Sequence, residues 1–285
     1  MFAHLNLFGL RTRARRKLLD TPTPFGWEEI IEANVDRYPL LAPTQQKRLL
    51  DLARIFLSEK TFEGVGLDLT DEIRLTIAAH AVTLLLNRYT NPRDPVFAGV
   101  RTVIVYPNRY RAAVSTIGPG GVVTEGNQIR LGEAWHGPGT GGTIVLSWED
   151  VPRADRSGVS FEGRKRSAHA HNVVIHEFAH ALDAETGDVN GAPKLDRPGA
   201  YNAWSKIMAR EYTGLRRAAA LGLPTLLSAY GATNPAEFFA VATETYFDRP
   251  VEMRQHHPDL FAQLEGFYGP SQTLVPHDWV SPDTA

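Results

Sequence analysis

The segment VVIHEFAHALD, residues 173–183, contains the pattern H-E-x-x-H, with His176, Glu177 and His180. On a helix, the two histidines lie about 40° apart around the axis, so both imidazoles can reach one metal ion. Glu177 then lies on the flank of this face, where a carboxylate can act as general base on a water held by the metal. The pattern therefore predicts metal-dependent hydrolysis. The alternative is a helix with two surface histidines and a solvated glutamate.

A catalytic zinc ion keeps three protein ligands and one open position, so a third ligand is required. The segment YGATNPAEFFAVATETYF, residues 230–247, offers Glu237 on a second helix that Asn234 can cap and Pro235 can begin. An alternative stays open for Glu237, because N-x-x-E also resembles a capping box, in which the glutamate accepts the backbone N–H of the cap. Tyr230, seven residues upstream, carries a hydroxyl that can polarise a carbonyl.

Two further acids could orient the metal-binding imidazoles. Asp183 lies on the same helix face as the two histidines and could accept a hydrogen bond from an Nδ1–H group. Glu244, seven residues after Glu237, could do the same or bind an arginine. Other polar residues are predicted to lie in loops or at the surface, namely Asp188, Asn190, His171, His256 and His257. His80, in IAAHAV, is predicted to be a buried, hydrogen-bonded core histidine.

Composition limits the classes of protein that are possible. The chain has 285 residues, 43% of them hydrophobic and 22% charged, which is typical of a soluble globular protein. Cysteine is absent, so thiolate metal sites are excluded and zinc must rest on His, Asp or Glu. The net charge of -2 argues against direct nucleic-acid binding. Nowhere does the sequence hold the roughly 18 consecutive apolar residues of a membrane span.

The elements that must position these residues follow from periodicity. Residues 21–95 show the three-and-four spacing of helices, residues 100–151 show β-branched runs between Gly and Pro clusters, and residues 166–270 return to helical spacing with the catalytic motifs. The sequence therefore predicts an α+β fold in one domain, residues 21–285. GPGTGG, residues 137–142, matches a dinucleotide-binding pattern, but a strand follows it instead of a helix, so we interpret it as a hairpin connection.

Residues 1–20 form a separate segment with an apolar start and five cationic residues between Arg11 and Lys17. A secretory signal has the reverse order, so we expect a cytoplasmic protein. The segment is predicted to be a disordered basic leader, with weak attachment to anionic lipid or to a partner as the alternative.

The motifs VVIHEFAHALD, NGAPKL, IVLSWEDV and YGATNPAEFFAVATETYF together resemble the zinc peptidases related to Mlc titration factor A, whose catalytic half is similar to that of anthrax lethal factor. The resemblance extends from about residue 24 to residue 270. It implies a zincin-like fold with one Zn²⁺ on His176, His180 and Glu237, Glu177 as base and Tyr230 beside the oxyanion. Ala181 departs from the family pattern, which expects a longer polar residue there.

The resemblance also implies two functions. One is a peptidase, aminopeptidase-like on short peptide substrates, which could align as an added strand along GGTIVLSW, residues 141–148. The other is a regulatory protein that sequesters a transcriptional repressor of sugar uptake, with peptidase activity secondary. A third possibility, from another class, is a metal-free α+β scaffold.

Overall fold

The computed structural model describes residues 2–89, 91, 93–117, 123–130, 132–135, 142–152, 172–195, 197 and 199–271. In this part of the chain the helices are Phe2–Leu19 (α1), Trp27–Asn34 (α2), Pro43–Glu59 (α3), Asp71–Thr83 (α4), Val173–Asp183 (α5), Ala200–Ala220 (α6), Pro235–Asp248 (α7), Pro250–His256 (α8) and Pro258–Tyr268 (α9). The strands are Thr61–Gly64 (β1), Val100–Tyr106 (β2), Tyr110–Ile117 (β3), Val123–Arg130 (β4), Gly132–Trp135 (β5) and Gly142–Ser147 (β6).

The main sheet has four strands in the order β1-β2-β6-β5. β1, β2 and β6 are parallel, and β5 runs antiparallel to β6. β3 and β4 form a separate antiparallel pair. Parallel neighbours need a crossover, and α4 supplies it between β1 and β2. Helices before and after a small sheet confirm the predicted α+β class.

The sheet order corrects one expectation about peptide binding. We predicted that GGTIVLSW, residues 141–148, lies at the sheet edge, but β6 lies between β2 and β5. Its side chains explain the interior position, because Ile144 and Leu146 are fully buried and pack as the inner residues of a core strand. On that side, the edge of the described sheet is β5.

α5 is anchored on the core by its apolar face. Phe178 contacts Phe97 and Phe56, with ring centroids 4.7 Å and 5.5 Å apart, in edge-to-face arrangements that aromatic pairs favour. Phe56 belongs to α3, and Phe97 precedes β2, so three elements meet here. The face of α5 that carries His176 and His180 points away from this cluster, as helical spacing predicts.

The first twenty residues differ from the disordered leader that we predicted. They contain α1, whose Arg11 and Arg15 side chains both pair with Glu59 at the end of α3. Arg15 is buried and also donates to the carbonyl oxygen of Asp94. Burial raises the pKa of Glu59, but the two guanidinium groups outweigh it and lower the pKa to about 2. The basic residues thus serve partly as tertiary contacts, which composition alone does not reveal.

Two further expectations from the sequence concern membrane spans and the glycine-rich connection. None of the helices in the described ranges is long and apolar enough to cross a membrane. Of the glycine-rich connection at residues 137–142, only Gly142 belongs to the described residues.

Candidate metal centre

α5 presents the two histidines of the motif on a fixed, buried helix. Asn172 caps its first turn, because its Oδ1 accepts the N–H of Ile175 at 3.1 Å. Every residue of α5 is buried, including His176, Glu177 and His180. The two imidazole rings lie edge to face, with centroids 4.9 Å apart and Nε2 atoms 3.3 Å apart. Both Nε2 atoms therefore point to a common position.

α7 brings Glu237 to the same position. Asn234 caps this helix by accepting the N–H of Glu237 at 3.0 Å, and Pro235 occupies the first helical position. The side chain of Glu237 turns toward α5, where its Oε2 lies 3.0 Å from Nε2 of His176 and 3.4 Å from Nε2 of His180. Of the two roles that the sequence left open for Glu237, this geometry favours the metal ligand.

The three ligand atoms form a triangle with sides of 3.0, 3.3 and 3.4 Å. A tetrahedral ion with bonds of about 2.0–2.1 Å requires ligand atoms roughly 3.3–3.4 Å apart. His176, His180 and Glu237 are also the group in the described part of the chain whose ligand atoms converge closely enough to hold a metal ion. The donor set of two imidazoles and one carboxylate fits a metal ion with one position left for water.

The hydrogen bonds of His176 show why a cation belongs here. Its Nδ1 lies 2.6 Å from Oε1 of Glu244, so the Nδ1–H group donates to that carboxylate. In the neutral ring, Nε2 then carries no hydrogen, and its lone pair faces Oε2 of Glu237. Burial lowers the pKa of His176, but the hydrogen bonds to Glu237 and Glu244 outweigh it and raise the pKa to about 10. A positive charge at this point, on a proton or on a metal ion, is strongly favoured.

Glu237 shows the complementary effect. Burial raises the pKa of its carboxyl group, while the hydrogen bonds to His176 and His180 outweigh burial and hold the pKa well below the usual range. Glu237 is therefore a carboxylate at neutral pH, which is the form that binds a metal ion.

The two predicted orienting acids have different positions. Glu244 lies beside His176, with its Oε1 2.6 Å from Nδ1 of that ring. In the part of the chain that the structure describes, Asp183 has no hydrogen bond to an imidazole, so the expected contact with an Nδ1–H group is not formed there. Its Oδ2 instead accepts the N–H of Gly191 at 2.7 Å. The loop after α5 returns over the end of the helix and supplies this closer donor, while Oδ1 of Asp183 and Nδ1 of His180 are buried without a hydrogen-bond partner among the described residues.

Glu177 and Tyr230 flank the centre. The Glu177 side chain is 5% exposed, so it lies in the protein beside the ligands and not in bulk solvent. Tyr230 lies in a short 3-10 segment, Ala229–Ala232, with its ring centroid 5.8 Å from that of His176. Tyr230 is half exposed, so its ring forms part of the open side of the centre.

Gly191 is a residue of this region that motif analysis missed. Its backbone is left-handed, with φ of 80°, and an added Cβ would lie 2.4 Å from the carbonyl oxygen of Pro235. Its N–H bonds to Asp183 at the end of α5, and its carbonyl oxygen accepts Nε1–H of Trp204 at 2.9 Å. Gly191 therefore joins the end of the histidine helix to the start of the glutamate helix. Its place in the NGAPKL motif was the available signal.

The remaining polar predictions are mixed. His80 is buried and hydrogen-bonded, as expected. Asp188 and Asn190 are exposed in the loop after α5, and His256 is exposed, whereas His257 is half buried and pairs with Glu211. His171 lies outside the described residues.

Comparison with known proteins now identifies the family. The model of the glucose-regulated metallo-peptidase family M90 matches residues 10–269, which include the complete metal centre. The chain belongs to the M90 family. An uncharacterized protein of Synechocystis sp., slr2042, is 37% identical over 254 residues, covering 89% of this chain and 86% of the relative. Mlc titration factor A of Yersinia pestis and of Yersinia pseudotuberculosis is 29% identical over 244 residues, covering 81% of this chain and 80% of theirs.

Membership of the M90 family and the three converging side chains support the same chemistry. The family match covers residues 10–269, whereas the distances concern three side chains on two helices. The metal centre is therefore the candidate functional site of this metallopeptidase-family protein.

Proposed function

We propose that the protein is a zinc-dependent peptidase with an aminopeptidase-like preference for short peptides. The convergence of His176, His180 and Glu237 at tetrahedral spacing carries this proposal. Zinc suits two imidazoles and one carboxylate, and the absence of cysteine makes this the donor set that the chain can offer. A bound zinc ion would acidify a water molecule and polarise a substrate carbonyl.

The chain's own residues supply the remaining chemistry. The Glu177 carboxylate takes the proton from the attacking water and returns it to the leaving amine. The Tyr230 hydroxyl donates a hydrogen bond to the oxygen of the scissile carbonyl as negative charge develops there. Glu244 holds the proton on Nδ1 of His176, so that the lone pair of Nε2 is the one directed at the metal position. The half-exposed position of Tyr230 is consistent with a residue that meets substrate at the open side.

The sheet offers a place for the peptide backbone. β5 lies at the edge of the described sheet and contacts α5, so a peptide that adds to β5 as a further strand would lie near the helix that carries His176 and His180. This placement replaces the expectation for β6. It explains how main-chain hydrogen bonds can hold substrates of varied sequence.

Metal analysis and peptide hydrolysis test the proposal together. We expect about one zinc ion per chain in the purified protein and cleavage of fluorogenic peptides, faster with a free N-terminus than with an acetylated one. Glu237→Ala should lose both metal and turnover, while Glu29→Ala, at an exposed position on α2, should retain both. Unimpaired metal binding by Glu237→Ala would return Glu237 to a capping role.

A second candidate function follows from the relatives named Mlc titration factor A. The protein would bind a transcriptional repressor, with peptidase activity secondary or regulated by that contact. The presence of Glu177 beside the metal centre favours the peptidase over the repressor-binding function, because a pure binding protein has no chemical need for a general base. Binding of a repressor by the Glu177→Gln variant with unchanged affinity, together with no peptide cleavage by the wild type, would favour this second function.

A further inference from the structure

Asn172 is the meeting point of a hydrogen-bond network behind the metal centre. It is 2% exposed, and three of its polar groups have partners. Its side-chain Oδ1 caps α5, its backbone N–H donates to Oε2 of Glu244 at 3.0 Å, and its Nδ2 lies 3.4 Å from Nδ1 of His80. One residue thus contacts the start of the histidine helix, the acid on α7 and the core histidine on α4.

The partners of His80 fix the direction of these hydrogen bonds. Its Nε2 lies 3.0 Å from the carbonyl oxygen of Pro152, and a carbonyl can only accept, so Nε2 carries the hydrogen. In this tautomer of the neutral ring, Nδ1 is an acceptor and receives the Nδ2–H of Asn172. The amide orientation of Asn172 agrees, because its Oδ1 is already occupied by the N–H of Ile175.

The network continues through Glu244 to a proposed metal ligand. Oε2 of Glu244 receives the backbone N–H of Asn172, and Oε1 receives the Nδ1–H of His176. With both oxygens engaged, the carboxylate plane is fixed, and so is the ring that bonds to it. The orientation of His176 thereby depends on where Asn172 is held. The side chain of Asn172 is held from the other side by His80 and by the carboxylate of Asp248.

We propose that Asn172 and His80 are positioning residues for the metal centre, which set the orientation of His176 through Glu244. The inference rests on the proposed function in that it takes His176 as a zinc ligand. Neither residue touches the ligand atoms, and neither belongs to the motifs that predicted the site. The contact that matters in this proposal is the one between His80 and Asn172, while the bond from His80 to Pro152 serves only the fold.

Two variants of His80 separate the two contacts. In His80→Asn, the side-chain oxygen can take the place of Nδ1 as acceptor for Asn172, and the bond to Pro152 is lost. In His80→Gln, the longer amide can take the place of Nε2 as donor to Pro152, and the acceptor for Asn172 is lost. Both variants remove one hydrogen bond and part of a buried ring, so a role limited to stability predicts similar effects for both.

The test is the zinc affinity of the apoprotein, measured by competition with a chromophoric chelator, with thermal melting recorded for each variant. We expect His80→Gln to weaken zinc binding about tenfold, in line with the loss of other partners beyond the ligands, and His80→Asn to retain affinity within about threefold. Asn172→Ser, which keeps the cap but not the donor to His80, should behave as His80→Gln does.

Nitrogen-15 NMR of the His176 ring in the apoprotein gives a readout that does not depend on metal. Its Nδ1–H signal should be altered in His80→Gln and Asn172→Ser but close to wild type in His80→Asn. Equal zinc affinity in all variants, or losses that follow the melting temperature alone, would overturn the inference. Failure of the wild type to bind zinc would instead overturn the proposed function, while the NMR comparison would still decide the positioning role.

Discussion

Glu177 is the residue at which catalysis and metal binding can be separated. It is buried beside the ligands but is not one of the three converging groups. Glu177→Gln should therefore keep zinc and lower kcat/KM by at least about 10²–10⁴-fold, because the amide cannot take a proton from water. Metal analysis and peptide hydrolysis check this, with Glu185→Gln, an exposed glutamate just after α5, as the control. Undiminished turnover would remove Glu177 from the role of base.

Glu244 provides a second prediction at this scale. Glu244→Gln replaces one of its two acceptor oxygens by an amide group, so the hydrogen bonds from His176 and Asn172 cannot both be kept without strain. We expect zinc affinity to fall about 10–100-fold, and turnover to recover when zinc is added in excess. Lost turnover at saturating zinc would show that Glu244 has a direct role in the reaction.

The sequence predicted the ligands better than it predicted their partners. Helical spacing places His176 and His180 on one face, and the cap predicted at Asn234 begins α7. Spacing also placed Asp183 on the histidine face, but it contains no information about the loop that returns with the N–H of Gly191. Tertiary structure decides which hydrogen-bond partner approaches a side chain, so the spacing of residues in a motif does not predict that partner.

At the scale of elements, Gly191 keeps α5 and α7 in register. Gly191→Ala would place a Cβ 2.4 Å from the Pro235 carbonyl oxygen, so the start of α7 or the loop must move. We expect a loss of stability of about 1–3 kcal/mol and weaker zinc binding, since Glu237 is on the first turn of α7. Gly187→Ala is the matched control, because Gly187 is also left-handed, with φ of 98°, but has open space around its Cα.

Chemical denaturation and zinc competition measure the two effects of these variants. The left-handed strain is common to both, so the difference between them reports the close approach to Pro235. Identical zinc affinities for the two variants would show that Gly191 does not hold the two helices in register.

The attachment of α1 gives another prediction at this scale. Glu59→Gln removes the negative charge that Arg11 and Arg15 share, so α1 should dissociate from α3 more often. Hydrogen exchange of the α1 amides should become faster, while Arg13→Gln, at an exposed position on the same helix, should leave it unchanged. In the wild type, the same loss of protection is expected as the pH falls from about 4.5 toward 2, where Glu59 becomes protonated.

Sequence patterns predicted some helices and strands and missed others. α7 begins at Pro235 after the Asn234 cap, as predicted, because both residues are local signals of a helix start. β1 was missed, since four residues carry little periodicity and its pairing with β2 depends on residues about forty positions away. The strand β6 was recognised, but strand order is a property of the sheet, so its interior position was not.

For the whole molecule, His80 predicts a particular response to acid. Burial and, next, the nearby charge of Arg37 lower the pKa of His80 to about 4, against about 6.5 in the unfolded chain. Between these values the unfolded state binds more protons, so this contribution to stability is present above pH 6.5 and is lost as the pH falls toward 4. Asp248 acts in the opposite direction, because burial raises its pKa to about 6.

A difference measurement isolates the His80 contribution from that of Asp248. The stability of wild type minus that of His80→Asn, from urea denaturation, should decrease as the pH is lowered from about 6.5 to about 4. The difference should be constant from pH 7 to 8. A difference independent of pH across the lower range would show that His80 is protonated equally well in the folded and unfolded states.

The separation of the ligands along the chain has a consequence for biosynthesis. His180 precedes Glu237 by 57 residues, so a ribosome that has just added the second histidine needs roughly 3–11 s more to add the glutamate, at about 5–20 residues per second. During that interval the nascent protein has two of the three proposed ligands, His176 and His180, but not Glu237. If these three residues bind zinc as proposed, the complete site forms only when translation is nearly finished, and a chain arrested before α7 lacks the third ligand.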